Sequence, residues 1–109
     1  MDGKFLGKIT FAEFGQYSDR PFLFGLQLGF EFNGGGVYDG GRYTANISNA
    51  CKWDSESQRQ QIFMNNLEEL NKILTDAKVN YVSALKGKPV EVEIVGNTFK
   101  GFRILTEVI

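Results

Sequence analysis

The strongest structural signal in the chain is the segment FLFGLQLGFEF, residues 22–32. Its even-numbered positions are all large and apolar: Phe22, Phe24, Leu26, Leu28, Phe30 and Phe32. Its interior odd-numbered positions are small or polar apart from Leu23: Gly25, Gln27, Gly29 and Glu31. Because successive side chains of a strand point to opposite faces, the pattern predicts a β-strand with one face wholly in a core.

Strands are also predicted on both sides of this segment. Residues 5–14 form a strand with Phe5, Ile9 and Phe11 on one face, and a short strand follows at 43–47. Residues 89–108 form a hairpin that turns at 96–97.

The parity of the apolar residues breaks in the second strand of this hairpin. Phe99 is odd, whereas Phe102 and Ile104 are even. One extra residue at Lys100-Gly101 would put all three side chains on the same face, so we predict a β-bulge there.

One long helix is predicted over residues 54–77. Its apolar residues recur at helical spacing on one face: Ile62, Phe63, Leu67, Leu70, Ile73, Leu74 and Ala77. Adjacent strands with short loops favour antiparallel pairing. The chain is therefore predicted to be one α+β domain, residues 1–109, with an antiparallel, curved sheet or a small open barrel packed by this helix.

Composition limits the classes of function. The chain has 109 residues, a net charge of −1, one cysteine (Cys51) and no apolar run long enough to span a membrane. Its first residues do not have the pattern expected of a signal peptide. A single cysteine favours a reducing compartment, so a cytoplasmic location is predicted. The charge balance makes nucleic acid an unexpected partner.

The chain lacks histidine, which removes the commonest general base and the usual zinc sites. Glu91 and Glu93 share a strand face, a pattern typical of a solvated surface rather than of an acid/base pair. We therefore expect a binding protein, not an enzyme, with no cofactor and no metal.

The glycine-rich segment 33–42 is the best candidate for a binding site. It is interpreted as a loop whose backbone N–H groups at Gly35, Gly36, Gly40 and Gly41 face an anion. Three side chains would complete a site for a nucleotide-like ligand: Arg42 for the charge, Tyr38 for stacking and Asp39 for ribose hydroxyls or amino groups. The alternative is a hairpin loop whose glycines only satisfy turn geometry.

Tyr17 and Arg20, in the predicted loop 15–21, are a second part of this candidate site. The two loops flank strand 22–32 at opposite ends, about 35 Å apart, so a neighbouring protomer would have to bring them together. One helix also covers only one face of the sheet. Both points predict a homo-oligomer, with a dimer as the simplest form.

Two regions of the chain resemble a group of small proteins encoded by tailed phages and prophages. One is C-terminal: residues 85–94, Gly96-Asn97-Thr98 and residues 102–108. The other is N-terminal: Gly7-Lys8-Ile9 and residues 12–15, followed by an apolar strand and a glycine-rich segment before Lys52-Trp53. The resemblance implies a shared fold and assigns no functional residue.

Three functions fit these observations. Small phage proteins without catalytic residues often act by binding another molecule. The first function is therefore counter-defence in the infected bacterial cell, by sequestering a nucleotide-derived signal. The second is a protein–protein interaction module that inhibits a host protein. The third is single-stranded nucleic-acid binding, for which Lys86, Lys88, Lys100 and Arg103 would form a basic cluster.

Overall fold

The computed structural model describes the backbone of residues 2–32, 35–46 and 56–109, and the side chains of these residues except 39–43 and 46. The strands are β1 (Gly3–Gln16), β2 (Leu23–Phe32), β3 (Gly35–Asn46), β4 (Pro89–Val95) and β5 (Thr98–Ile104). The helix α1 is Glu56–Ala77, and short 3-10 turns lie at Val82–Leu85 and Thr106–Val108. Cys51 and the first two residues of the predicted helix, 54 and 55, lie outside the described residues.

The five strands form one antiparallel sheet in the order β3-β2-β1-β4-β5. Within the described ranges β3 and β5 are its outer strands, so the sheet is open and curved. The α+β class, the antiparallel sheet and the single packing helix are confirmed. We call the face opposite α1 the outer face.

The strand β1 lies at the centre of the sheet but is paired on both sides over only part of its length. It pairs with β2 from Gly7 to Gln16 and with β4 from Gly3 to Lys8. Just past Lys8, the Ile9 N–H donates to the Lys88 carbonyl at 3.0 Å. Beyond Ile9, no described strand lies on the β4 side of β1.

The core lies between the sheet and α1. From β2 it receives Leu26, Leu28, Phe30 and Phe32, as the parity of residues 22–32 predicts. Ile73 and Ala77 of the helix and Leu85 of the first 3-10 turn close over them. Seven large apolar side chains of this core are at most 2% exposed, and their burial stabilises the fold.

The first two aromatic residues of the 22–32 pattern depart from the prediction. Phe22 lies in the turn before β2 and is 44% exposed, and Phe24 is 37% exposed. The core ends at Leu26 because α1 packs against the other end of the sheet through Ile73 and Ala77.

A bulge in β1 overturns the predicted shared face of Ile9 and Phe11. The register with β2 runs from Ile9 opposite Phe30 to Phe11 opposite Gly29, so Thr10 is an additional residue. An extra residue reverses the alternation of side chains. Ile9 therefore lies in the core, whereas Phe11 is on the outer face and Ala12 and Phe14 turn toward the helix side.

The predicted bulge in the closing hairpin is confirmed. Glu93 pairs with Gly101 and Ile94 with Phe99, which leaves Lys100 as the extra residue. As a result Phe99 and Phe102 lie on the same face and both pack on Phe30, with ring centroids at 5.4 and 4.7 Å.

The glycine-rich segment is a strand over most of its length, which corrects the predicted loop at 33–42. Gly35–Asn46 pairs with β2 as the long outer strand β3, while residues 33 and 34 lie outside the described ranges. Glycine is tolerated here because an outer strand is held by its backbone ladder rather than by side-chain packing. Tyr43 and Ala45, predicted to lie in a separate short strand, belong to β3, and Ile47 is not described.

Candidate functional site

The predicted site residues lie on two neighbouring segments of the sheet. Gly35, Gly36, Tyr38, Asp39, Gly40, Gly41 and Arg42 belong to β3, and Tyr17 and Arg20 lie in the turn between β1 and β2. Asp39 is the register partner of Leu28, and Tyr43 that of Leu26. The three residues Gly40–Arg42 therefore form a bulge opposite the single residue Gln27.

The predicted separation of two loops at opposite ends of strand 22–32 is wrong, because most of the second segment is a strand beside β2. Because β3 folds back along β2, Tyr38 lies opposite Gly29 in the body of the sheet and not beyond its end. Burial raises the pKa of Tyr38, the nearby Tyr17 and Asp19 raise it further, and Arg20 lowers it.

The Tyr38 side chain is fixed on the outer face by two contacts. Its hydroxyl donates a hydrogen bond to Oε1 of Gln27. Its ring centroid lies 5.9 Å from that of Phe11, which the Thr10 bulge turns to the same face. Half of the Tyr38 side chain is exposed, so a planar molecule has access to this aromatic surface.

A cavity of about 260 Å³ opens beside these residues, and we call it the outer-face cleft. Its lining combines two aromatic rings, two amides, a carboxylate and a hydroxyl: Phe11, Glu13, Phe14, Gly15, Gln16, Ser18 and Gln27. Gln27 connects the cleft to β3, through its hydrogen bond with Tyr38 and its position opposite the Gly40–Arg42 bulge. The cleft offers both donors and acceptors around an apolar wall.

Arg20 stands at the rim of this region. Its guanidinium carbon lies 5.8 Å from the ring centroid of the buried Tyr17, a cation–π distance. Its Nε lies 3.6 Å from an Asp19 carboxylate oxygen, and both side chains are largely exposed. An exposed ion pair of this kind is weak, so an anionic ligand could replace Asp19 at little cost.

A second cavity, of about 420 Å³, lies on the other side of the sheet between α1 and β1–β3. We call it the apolar groove, and apart from Asn66 its described lining is apolar: Phe14, Phe24, Gly25, Ala45, Phe63 and Leu67. Helical periodicity predicts Phe63 and Leu67 as core residues. They line the groove because the helix and the sheet diverge at this end.

The predicted basic cluster near the closing hairpin is partly neutralised. Nε of Arg103 lies 3.2 Å from Glu91, and its Nη1 lies 3.2 Å from Glu107. The hydrogen bond that Arg103 donates to Glu107, followed by the one it donates to Glu91, raises the pKa of Arg103. The contact with Arg103 lowers the pKa of Glu107. This pairing removes one of the four cations from the surface that a nucleic acid would contact.

Comparisons with family models, with curated proteins and with solved structures find no match for this chain. Among the described residues, no group of His, Cys, Asp and Glu side chains is arranged to hold a metal ion. No helix in the described ranges is both long and apolar enough to cross a membrane.

Proposed function

We propose that this chain binds a nucleotide-like ligand, a planar ring carrying an anionic group, at the outer-face cleft, and that it acts by sequestering this ligand. The observation that carries the proposal is the hydrogen bond that joins the half-exposed Tyr38 to Gln27 in the lining of the cleft. Tyr17 and Arg20, in and beside the turn between β1 and β2, also affect the pKa of Tyr38. These residue types match the parts of such a ligand: rings for a base, an amide for its polar edge and a guanidinium for a phosphate.

The bulge in β3 supports the same site. A bulge leaves backbone groups out of the ladder, and Gly40 and Gly41 have no side chains to shield them. Their backbone lies opposite Gln27, a residue that lines the cleft, and unshielded N–H groups of this kind are suited to an anion. The carboxylate of Glu13 is suited to ribose hydroxyls or to an exocyclic amino group.

Sequestration is favoured over conversion because the sequence contains no histidine, and Glu13 is the one carboxylate among the described residues that line the cleft. With the resemblance to phage proteins, the expected ligand is a nucleotide signal of bacterial defence, and the role is counter-defence in the host cytoplasm. The fold alone would not carry this assignment.

The proposal is tested by calorimetric titration against cyclic dinucleotides, cyclic oligonucleotides and ADP-ribose derivatives. We expect one class to bind, and Tyr38→Ala and Arg20→Ala to weaken its binding at least about tenfold each. Tyr81→Ala is the matched control, since Tyr81 is 73% exposed and lies outside the cleft.

Two results would contradict the proposal. If the wild type binds no member of the panel, sequestration of a nucleotide is wrong and a protein partner becomes the better hypothesis. If a ligand binds and all three variants bind it equally well, the ligand class stands but the outer-face cleft is not its site.

A further inference from the structure

The second half of β1 carries backbone hydrogen-bonding groups with no described partner. The Tyr17 N–H donates to the Leu23 carbonyl at 3.0 Å, so the backbone hydrogen-bonding groups of Tyr17 point toward β2. Hydrogen-bonding direction alternates along an antiparallel strand. Ala12, Phe14 and Gln16 therefore direct their N–H and C=O groups away from β2, to the side where β4 has already ended.

We call residues Ala12–Gln16 on this side the open edge. Proteins usually protect such an edge with lysine, proline or a covering segment. The open edge contains neither lysine nor proline, and Glu13 is its single charge. Phe14, at its centre, is 44% exposed. An edge with these properties is suited to pairing with another strand.

The first part of the open edge borders an open cavity. This cavity of about 390 Å³ lies beside Thr10–Phe14 and is lined on its other side by Val82, Ser83 and Lys86. Phe14 and Phe24, which meet edge to face at 5.2 Å, line the apolar groove next to it. An added strand would therefore gain both backbone hydrogen bonds and apolar contacts.

We propose that the open edge pairs, antiparallel, with the open edge of a second copy of this chain, about a two-fold axis at Phe14. Ala12 then lies opposite Gln16 of the second copy, and every N–H and C=O group of Ala12, Phe14 and Gln16 finds a partner. The two sheets become continuous across the axis.

This register also avoids electrostatic repulsion. It puts Glu13 opposite Gly15 of the second copy, whereas a register centred on Glu13 would bring two carboxylates face to face. The two Phe14 rings meet at the axis on the helix side and cover each other's exposed surface.

The pairing has a consequence for the outer-face cleft. The cleft is lined by Glu13, Gly15 and Gln16 of the open edge, so the clefts of two paired copies adjoin across the axis. A single cleft of about 260 Å³ lies below the usual range of ligand sites, about 300–1,000 Å³, and the joined clefts fall within it. The dimer itself rests on the edge alone and does not depend on the proposed ligand.

The first test is sedimentation equilibrium of the full chain across the micromolar range. We expect a dimer for the wild type. Phe14→Lys places two ammonium groups opposite each other at the axis, so we expect it to raise the dissociation constant of the dimer about 100-fold or more. Gln16→Pro removes one edge N–H that β2 does not use and should also weaken the dimer. Val95→Lys is the control, at a residue 49% exposed on the hairpin tip.

A cross-linking test reads the register directly and does not depend on how Phe14→Lys folds. In a Cys51→Ser background, Phe14→Cys places two thiols on facing residues about 5.5 Å apart between Cα atoms, within disulfide range. We expect this variant to oxidise to a covalent dimer and Glu13→Cys to do so far less.

The inference is overturned if the wild type is monomeric throughout, or if a dimer forms that neither Phe14→Lys nor Gln16→Pro weakens. It is also overturned if Phe14→Cys does not cross-link, or cross-links no better than Glu13→Cys. A dimer with a different preferred cross-link would show that another surface pairs.

Discussion

The rings of Phe11 and Tyr38 meet 5.9 Å apart across Gly29. Phe11 is the register partner of Gly29 on one side, and Tyr38 is its partner on the other. The glycine lets two aromatic side chains from non-adjacent strands come into contact, and this contact forms the aromatic part of the outer-face cleft.

A side chain at Gly29 should therefore separate the two rings. A Cβ atom there would lie 3.0 Å from the Cβ of Phe11, so we expect Gly29→Ala to lower the free energy of unfolding by about 1–3 kcal/mol. Gly35→Ala is the control, because its nearest neighbour would be the Phe32 carbonyl at 3.8 Å. Equal midpoints of denaturant unfolding for the two variants would contradict this interpretation.

The titration of Tyr38 should report on the same cluster. Burial, Tyr17 and Asp19 raise its pKa above the ordinary value of 10.0, while Arg20 lowers it. Since the folded pKa is the higher one, the associated stability is intact below pH 10 and is lost as the pH rises through the folded pKa.

This titration can be followed by tyrosinate absorbance, with Tyr38→Phe identifying the residue. Asp19→Asn should lower the pKa of Tyr38, and Arg20→Ala should raise it. If neither substitution moves the pKa, the turn between β1 and β2 does not approach Tyr38 in solution.

Arg42 remains the sequence-based candidate for the anionic group of the ligand. Its backbone lies in the bulge opposite Gln27, a residue that lines the cleft. Arg42→Ala should cost about 2–4 kcal/mol of binding, or roughly 30- to 1,000-fold in affinity, and should barely change folding. Calorimetry and thermal unfolding of the same samples measure both quantities. Unchanged affinity would assign the anion to Arg20 or to the backbone.

The bulge in β5 predicts an unusual tolerance to deletion. Without Lys100 the ladder becomes regular, yet Phe99, Phe102 and Ile104 keep their common face. We expect deletion of Lys100 to cost less than about 2 kcal/mol. Deletion of Arg103 should cost more than about 3 kcal/mol, because it moves the buried Ile104 to the outer face. Similar losses for the two deletions, measured by denaturant unfolding, would contradict the assigned bulge.

The two bulges show where sequence patterns succeed and fail. Near Lys100 the alternation visibly breaks, because Phe99 and Phe102 are both core residues. Near Thr10 it looks regular, since Phe11 is apolar although it lies on the outer face. A pattern of apolar residues cannot distinguish a core aromatic from one that lines a binding cleft.

The candidate site was predictable in residue types but not in arrangement. Tyr17, Arg20 and Tyr38 were identified from composition and spacing, whereas Phe11, Glu13 and Gln27 were not. The missing information was strand order. Glycines at 35–36 and 40–41 are typical of loops, and only pairing with β2 determines that this segment runs back along the sheet as β3.

The position of β1 in the sheet also governs the order in which the fold can assemble. Its pairing with β2 is local, but its pairing with β4 joins Gly3 to Ile94, across most of the chain. Such non-local contacts slow folding, because loop-closure entropy is lost before they form. During synthesis, β1–β3 and then α1 emerge before β4. Folding is thus completed only once the closing hairpin is available, because β4 supplies the second neighbour of β1.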